Sequence, residues 1–262
     1  MTRSRSLRAA GVPRTVCGLI LSIALLAVGT RLSAQQFSGD NQWVAPHGVA
    51  TLIGGFGEEF SQVYLTGALL PEWEFTAQFI HYYEDPRDAS ESYTTANLYA
   101  KRRLSENAAG TAGYAVMGGT GLFPQHVERG EVAPAFETWW AQFVATYSFL
   151  DDRLLLDFLP GATVDLDDAE TGGASWGFLY STRAAIYPWV PTVALVAEVF
   201  GTAGDEFAPA QYRAGLRWES EALIVSGTFS ALFEDASEGP GFELGVRYFT
   251  APWACFGGCE ER

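Results

Sequence analysis

Ten charged residues recur on one side of an alternating pattern that runs through the chain: Glu74, Lys101, Arg103, Asp157, Arg183, Glu198, Arg213, Arg217, Glu243 and Arg247. Four acids face six bases, and no nucleophile–base pair is visible among them, so the chemistry they offer is electrostatic. Opposite charges facing each other across neighbouring strands stabilise a sheet by roughly 0.2–1 kcal/mol, and more where water is scarce. Folding segment 153–164 onto 174–187 sets Asp157 opposite Arg183, and folding 190–201 onto 210–220 sets Glu198 opposite Arg213. Two readings stand for these pairs. They neutralise a narrow interior, or with Arg217, Glu243 and Arg247 they form a charged constriction that selects solutes.

Three other groups deserve a chemical reading. Asp165, Asp167, Asp168 and Glu170 offer carboxylate oxygens that suit calcium. They lack the glycine at the sixth and the glutamate at the twelfth position of an EF-hand loop, so a solvated acidic loop is the simpler account. No other cofactor is implied. Cys255 and Cys259 are separated by Phe-Gly-Gly, whose glycines permit a tight reversal. In an exported chain that spacing predicts an intramolecular disulfide rather than a metal site. His81, beside Tyr83 and the Asp85 loop, has no serine partner, so the chain is not expected to be an enzyme.

The elements that position these residues begin after an export signal. Arg3, Arg5, Arg8 and Arg14 precede an apolar run over 16–30, and Leu32-Ser33-Ala34 follows. A basic start, a short apolar stretch and a small-residue end describe a secretory signal peptide, cleaved after Ala34. The run is shorter than the about 20 residues of a membrane helix. Cleavage leaves 228 of the 262 residues; it removes five arginines and no acid, moving the net charge from −15 to −20. That sign disfavours nucleic acid as a partner, because phosphate contact needs a basic face.

From Gly48 onward, stretches of about ten residues carry apolar side chains at period two, the mark of a strand with two unlike faces. The segments are 48–57, 61–70, 73–84, 92–103, 109–120, 136–149, 153–164, 174–187, 190–201, 210–220, 222–234 and 240–250. In 73–84, Trp73, Phe75, Ala77 and Phe79 alternate with Glu74, Thr76 and Gln78. Twelve is an even number, as single-chain outer-membrane barrels require. Every second connector is short, beginning with Pro71-Glu72; most of the others are longer and acidic. The chain is 48% hydrophobic and 14% aromatic without a second long apolar run. The fold expected is all-β: a transmembrane antiparallel up-and-down barrel of about 12 strands, with inward Tyr64, Tyr99, Trp140 and Phe200 narrowing the lumen. A soluble sandwich would instead carry lysine and glutamate outside.

The stretches Val193–Gly201 and Gln211–Trp218, and the last strand Gly241–Phe249, resemble the C-terminal strands of the outer-membrane family named for the MetA pathway of phenol degradation. The resemblance covers about the last quarter of the mature chain. It implies a barrel concerned with uptake of small hydrophobic or aromatic compounds, and it brings no site residues. Phe249 stands where such barrels present a terminal aromatic to the assembly machinery, yet thirteen residues follow it.

The organisation expected is a signal peptide over 1–34, a periplasmic segment over 35–47, the barrel over 48–250 and a periplasmic tail over 251–262. The localisation is the outer membrane. The partners are its lipid and lipopolysaccharide, the barrel assembly machinery and an unspecified small solute. The function expected is a channel or transporter-like barrel for small solutes. The competing reading is a non-conducting structural or adhesion barrel whose acidic loops bind divalent cations. A lipase or protease on the barrel rim is a third.

Overall fold

A computed structural model of the chain describes residues 41–84, 91–122, 135–168, 173–204, 208–234, 236 and 239–253. Strands form where branched and aromatic residues alternate with small or polar ones, and thirteen of them follow in order. The first six are β1 (Ala50–Gly57), β2 (Phe60–Leu70), β3 (Trp73–Tyr82), β4 (Tyr93–Glu106), β5 (Gly113–Thr120) and β6 (Thr138–Phe149). Then come β7 (Leu154–Phe158), β8 (Gly161–Asp168), β9 (Gly173–Ile186) and β10 (Val193–Gly204). The last are β11 (Ala208–Glu219), β12 (Leu223–Leu232) and β13 (Gly241–Phe249).

Apart from β7 and β8, which do not pair with each other, each strand pairs antiparallel with its sequence neighbours, and β13 returns to pair with β1, Thr51 opposite Phe249. The sheet therefore closes as a 12-strand barrel. Closure removes the unpaired edges that an open sheet would expose.

Thirteen strands make twelve staves because β7 and β8 are two halves of one: both pair with β6 on one side and β9 on the other. The sequence segment 153–164 is thus interrupted, and extended to Asp168. Pro160 is the physical reason, since it has no N–H to give the ladder. The seam is still stitched. Leu159 and Ser181 exchange hydrogen bonds at 2.8 and 3.2 Å, and the Pro160 carbonyl accepts from the Phe143 N–H at 2.9 Å.

The outer surface is apolar. Leu65, Phe75, Phe79, Phe143, Phe178 and Leu216 all point outward and are exposed. In water this would be an extended apolar patch with no soluble counterpart; against hydrocarbon it is the ordinary outer face of a membrane-spanning barrel. Indoles mark both rims. Trp139 and Trp176 lie toward the long connectors, and Trp73, with the Arg102 guanidinium 5.4 Å from its ring centre, lies toward the short turns. Such rings favour the boundary between lipid and water. The short turns use left-handed residues, Glu72 after Pro71 and the run Leu150-Asp151-Asp152. Arg103 ties its end of β4 to Glu72 and Glu106.

The interior is divided. On β3 and β4 the inward side chains include Thr76, Gln78, Thr95 and Asn97, all buried, with Asn97 donating to Gln78 at 3.0 Å. On β5 to β9 the inward face is instead an apolar cluster of Ala115, Met117, Trp140, Val144, Leu159 and Leu179. An inward face made only of small polar residues thus does not extend across that side. Side chains fill the interior of an eight-stranded barrel and leave a channel at sixteen. At twelve strands half the lumen is packed like a core and half stays polar.

Candidate functional site

The N-terminal residues before β1 enter the lumen at its short-turn end. Asn41, Gln42, Val44 and Ala45 are buried there. A chain brought into a barrel must satisfy its backbone polar groups, and three staves supply the partners. The Ala45 N–H donates to Glu74 Oε1 at 2.8 Å, while Glu74 Oε2 holds Lys101 Nζ at 2.9 Å. Lys101 reaches on to the Asn41 carbonyl at 3.4 Å. The Gln42 N–H donates to Thr146 Oγ1 at 3.2 Å, and its side-chain amide to the Gly110 carbonyl at 3.1 Å. Trp43 meets Phe249 edge to face, ring centres 5.6 Å apart, and Ala45 and Val49 pack with Ala68 and Ile224. Residues 41–47 form a plug within the barrel's mouth. Glu74 and Lys101 are its seat.

Above the plug, one wall carries a connected series of charges. Asp157 stands directly opposite Arg183, and Glu198 lies opposite Arg183 on one side and Arg213 on the other. Arg183 reaches Glu198 at 3.0 Å, where Ser181 also donates at 2.8 Å. Arg213 lies between Glu198 and Glu243, at 3.5 and 3.4 Å, donates to Ser230 at 3.0 Å and sits over the Phe200 ring. Thr146 links wall and plug, since it accepts from Gln42 and donates to Asp157 Oδ1 at 2.7 Å. Buried charges of this kind persist only when their remaining hydrogen-bonding positions are filled, and here Thr146, Ser181 and Ser230 fill them.

At the short-turn end of that wall, Arg217 binds Glu219 and donates to the Tyr187 hydroxyl at 3.2 Å; Tyr187 in turn donates to Glu219 at 2.9 Å. Tyr187 lies in the turn before β10, and burial pushes its hydroxyl pKa well above the ordinary tyrosine range. It stays a neutral donor at any physiological pH. Glu219, Tyr187, Thr146 and Ser181 were not visible as members of the site in the sequence. Thr146 and Ser181 follow from register once Asp157 and Arg183 are placed; Tyr187, in a turn outside the ladders, does not.

Between plug and wall lies a cavity of about 200 Å³, bounded by Trp43 below, by Tyr64, Glu74 and Tyr99 on β2 to β4, and by Arg183, Glu198, Arg213, Arg217, Glu243 and Arg247 on β9 to β13. Small residues keep it open: a Cβ on Gly245 would come within 2.6 Å of Ser226 Oγ, and one on Gly55 would meet the Gln62 side chain at 2.8 Å.

Among the described residues, Asp165, Arg103 and His81 lie apart from this site. Asp165 accepts from Thr138 Oγ1 at 3.3 Å at the far end of β8. The side chains of Asp167 and Asp168, and all of Glu170, lie outside the described residues, as do Cys255 and Cys259. Among the described residues no group of histidine, cysteine, aspartate and glutamate is placed to hold a metal ion. Arg103 serves the turn rather than the cavity. His81 lies outside the barrel, bonded to Thr94 Oγ1 at 3.0 Å.

No family model matches the chain, and no curated protein matches it. Solved structures do. The COG4313 outer membrane channel from Pseudomonas putida F1 is 14% identical, with 82% of this chain and 99% of that one covered and a TM-score of 0.47. Salmonella typhi OmpF in complex with daunomycin is 8% identical, covering 77% and 96% at a TM-score of 0.29. A bacterial polysaccharide outer membrane secretin is 9% identical, covering 79% and 98% at 0.34. Likenesses this distant assign neither a family nor a solute. What the chain can do is read from its own lumen.

Proposed function

We propose that the chain is an outer-membrane channel for small solutes, closed at rest by its own N-terminal segment. The observation that carries this reading is the cavity between plug and charged wall. A barrel built only as a scaffold gains nothing from holding seven charged side chains around an open space, because each costs several kcal/mol to desolvate unless compensated. The outer-membrane location is supported by the basic, apolar and small-residue order of the N-terminus and by the apolar belt. In that orientation the plug sits on the periplasmic side and the acidic connectors face outward.

Planar-bilayer recording tests the proposal. The intact mature chain should give small, infrequent unitary currents, and a chain lacking residues 35–47 should give larger and more frequent ones. A barrel that stays silent in both forms overturns the channel reading.

The packed cluster around Trp140 and the seated plug favour a second reading, a non-conducting barrel whose acidic outer loops bind divalent cations bridging lipopolysaccharide. The same recording separates the two.

A further inference from the structure

We infer that the cavity above the plug is a binding site for a small uncharged polyol. The inference rests on the channel reading only in that the ligand reaches the site through the lumen.

The charges around the cavity are matched to one another before any ligand arrives. Arg183 and Arg213 share Glu198, and Arg213 also reaches Glu243 at 3.4 Å. Arg217 is taken by Glu219 and Tyr187, Glu74 by Lys101, and Arg247 has a partner of its own. Counted with the partners behind the lining, five bases (the four arginines and Lys101) meet five acids, the three bordering glutamates with Asp157 and Glu219. An ion of either sign entering this space must displace one member of a buried pair and leave it uncompensated, which is the costly outcome for a buried charge. An uncharged ligand displaces none.

The groups left to bond a ligand are neutral. Thr51 borders the cavity from β1, and its buried hydroxyl has no hydrogen-bond partner among the described residues. It stands in register with Thr66, and Thr66 with Thr76, whose hydroxyls bond each other at 2.8 Å. Further along the same strand, Gly55 faces Gly245 of β13. Their missing side chains let two polar groups lie over bare backbone at the cavity's edge. Ser226 Oγ is 2.6 Å from where a Gly245 Cβ would stand, and Gln62 Nε2 is 2.9 Å from that of Gly55. The Gln62 oxygen already accepts from Tyr64 and Gln78, at 2.9 and 3.0 Å, so its amide nitrogen is the end that remains for a ligand. Hydroxyls donate and accept and the amide nitrogen donates, which suits a molecule whose own groups do both, as alcohols do. The rings of Trp43, Tyr64 and Tyr99 bound the rest of the space and meet its C–H surface. About 200 Å³ is smaller than the roughly 300–1,000 Å³ of sites for drug-sized ligands. A short linear polyol suits it; a disaccharide does not. Because Trp43 belongs to the plug, a ligand seated here touches the closing segment itself.

The test is saturation-transfer NMR on the full mature chain in a deuterated detergent without sugar headgroups, with erythritol set against acetate and tetramethylammonium at equal concentration. Erythritol should show about 10-fold more transfer than either ion, because only the ions must break a buried pair. Ser226→Ala combined with Thr51→Val removes two hydroxyls and should lower the erythritol signal several-fold while leaving those of the ions where they were. Heat-modifiable migration on gels identifies whether the variant is folded, and the erythritol-to-ion ratio in the unaltered chain decides the matter even if it is not. Transfer to an ion that equals that to erythritol, no transfer to erythritol, or a preference that survives whole in the folded variant overturns the inference. A chain that conducts without preferring erythritol refutes this site and leaves the channel; one that prefers erythritol yet is silent in bilayers refutes the channel and leaves the site.

Discussion

Replacing Lys101 by methionine should unseat the plug without opening the barrel wall. Lys101 is 1% exposed, and its ammonium is matched by Glu74 at 2.9 Å. The substitution keeps most of the side-chain volume and removes the charge. Two tethers weaken together. The bond to the Asn41 carbonyl, long at 3.4 Å, contributes about 1 kcal/mol. Glu74 then loses its counter-charge and draws in water. Its bond to the Ala45 N–H, now competing with that water, falls from the about 1.5–3 kcal/mol of a charged acceptor toward about 1 kcal/mol. The plug is therefore held less tightly by about 2 kcal/mol, which is close to 30-fold in its seated-to-released ratio.

Barrel stability moves separately. A lone buried charge costs about 3–5 kcal/mol, whereas removing both charges together is close to neutral. Glu74→Gln with Lys101→Met should thus restore stability in urea but not the seated plug. The assay is the open-time fraction in bilayers at low voltage, read beside urea unfolding in detergent. Both variants should raise the open fraction by the same order. If the double variant regains both stability and the resting closed fraction, the pair serves the wall alone and does not seat the plug.

Four further outcomes are expected. Glu198→Gln leaves Arg183 and Arg213 without their shared acid, so ion selectivity should shift toward anions; an unchanged reversal potential in a salt gradient would exclude this wall from the ion path. Gly119→Ala would press a Cβ into the Leu98 carbonyl and the Tyr99 backbone, and should cost about 1–3 kcal/mol in urea unfolding; no loss means that the β4–β5 seam yields. Phe143→Lys, outward on β6, should cost about 2–4 kcal/mol in lipid, and an indifferent result would place that face outside hydrocarbon. Labelling of denatured, non-reduced mature protein should find no accessible thiol at Cys255 or Cys259; two per chain would refute their bond.

The staves were legible because a barrel wall between lipid and lumen forces unlike residues onto alternate positions. Phe75 and Phe79 outward with Thr76 and Gln78 inward is such a record. Register across a hairpin can be counted from its turn, which places Glu198 beside Arg213. Segment 153–164 reads as one strand although it contains Pro160, and that the stave resumes beyond the break depends on β6 and β9 continuing to pair there, which no local signal states. The apolar inward cluster was hidden for a related reason: Met117, Val144 and Leu179 alternate like the rest, and only closure decides that the space between them is filled. The plug left least trace. Asn41 to Val49 has no period, and its partners Glu74, Lys101 and Thr146 lie far along the chain.

The contact between Trp43 and Phe249 also fixes an order of events. Phe249 is the last residue of β13, and its ring is half of the surface on which Trp43 rests. Ile224 of β12 contributes the neighbouring face. Until the final stave has zipped to β1 that resting place does not exist, so the amino-terminal segment, though synthesised first, is the last piece to find its place. During insertion the short-turn end of the lumen stays free of the segment, and the act that completes the wall is the one that creates the berth for its stopper. A chain truncated before Gly241 would lack both the seam and the berth, and could be neither sealed nor stoppered.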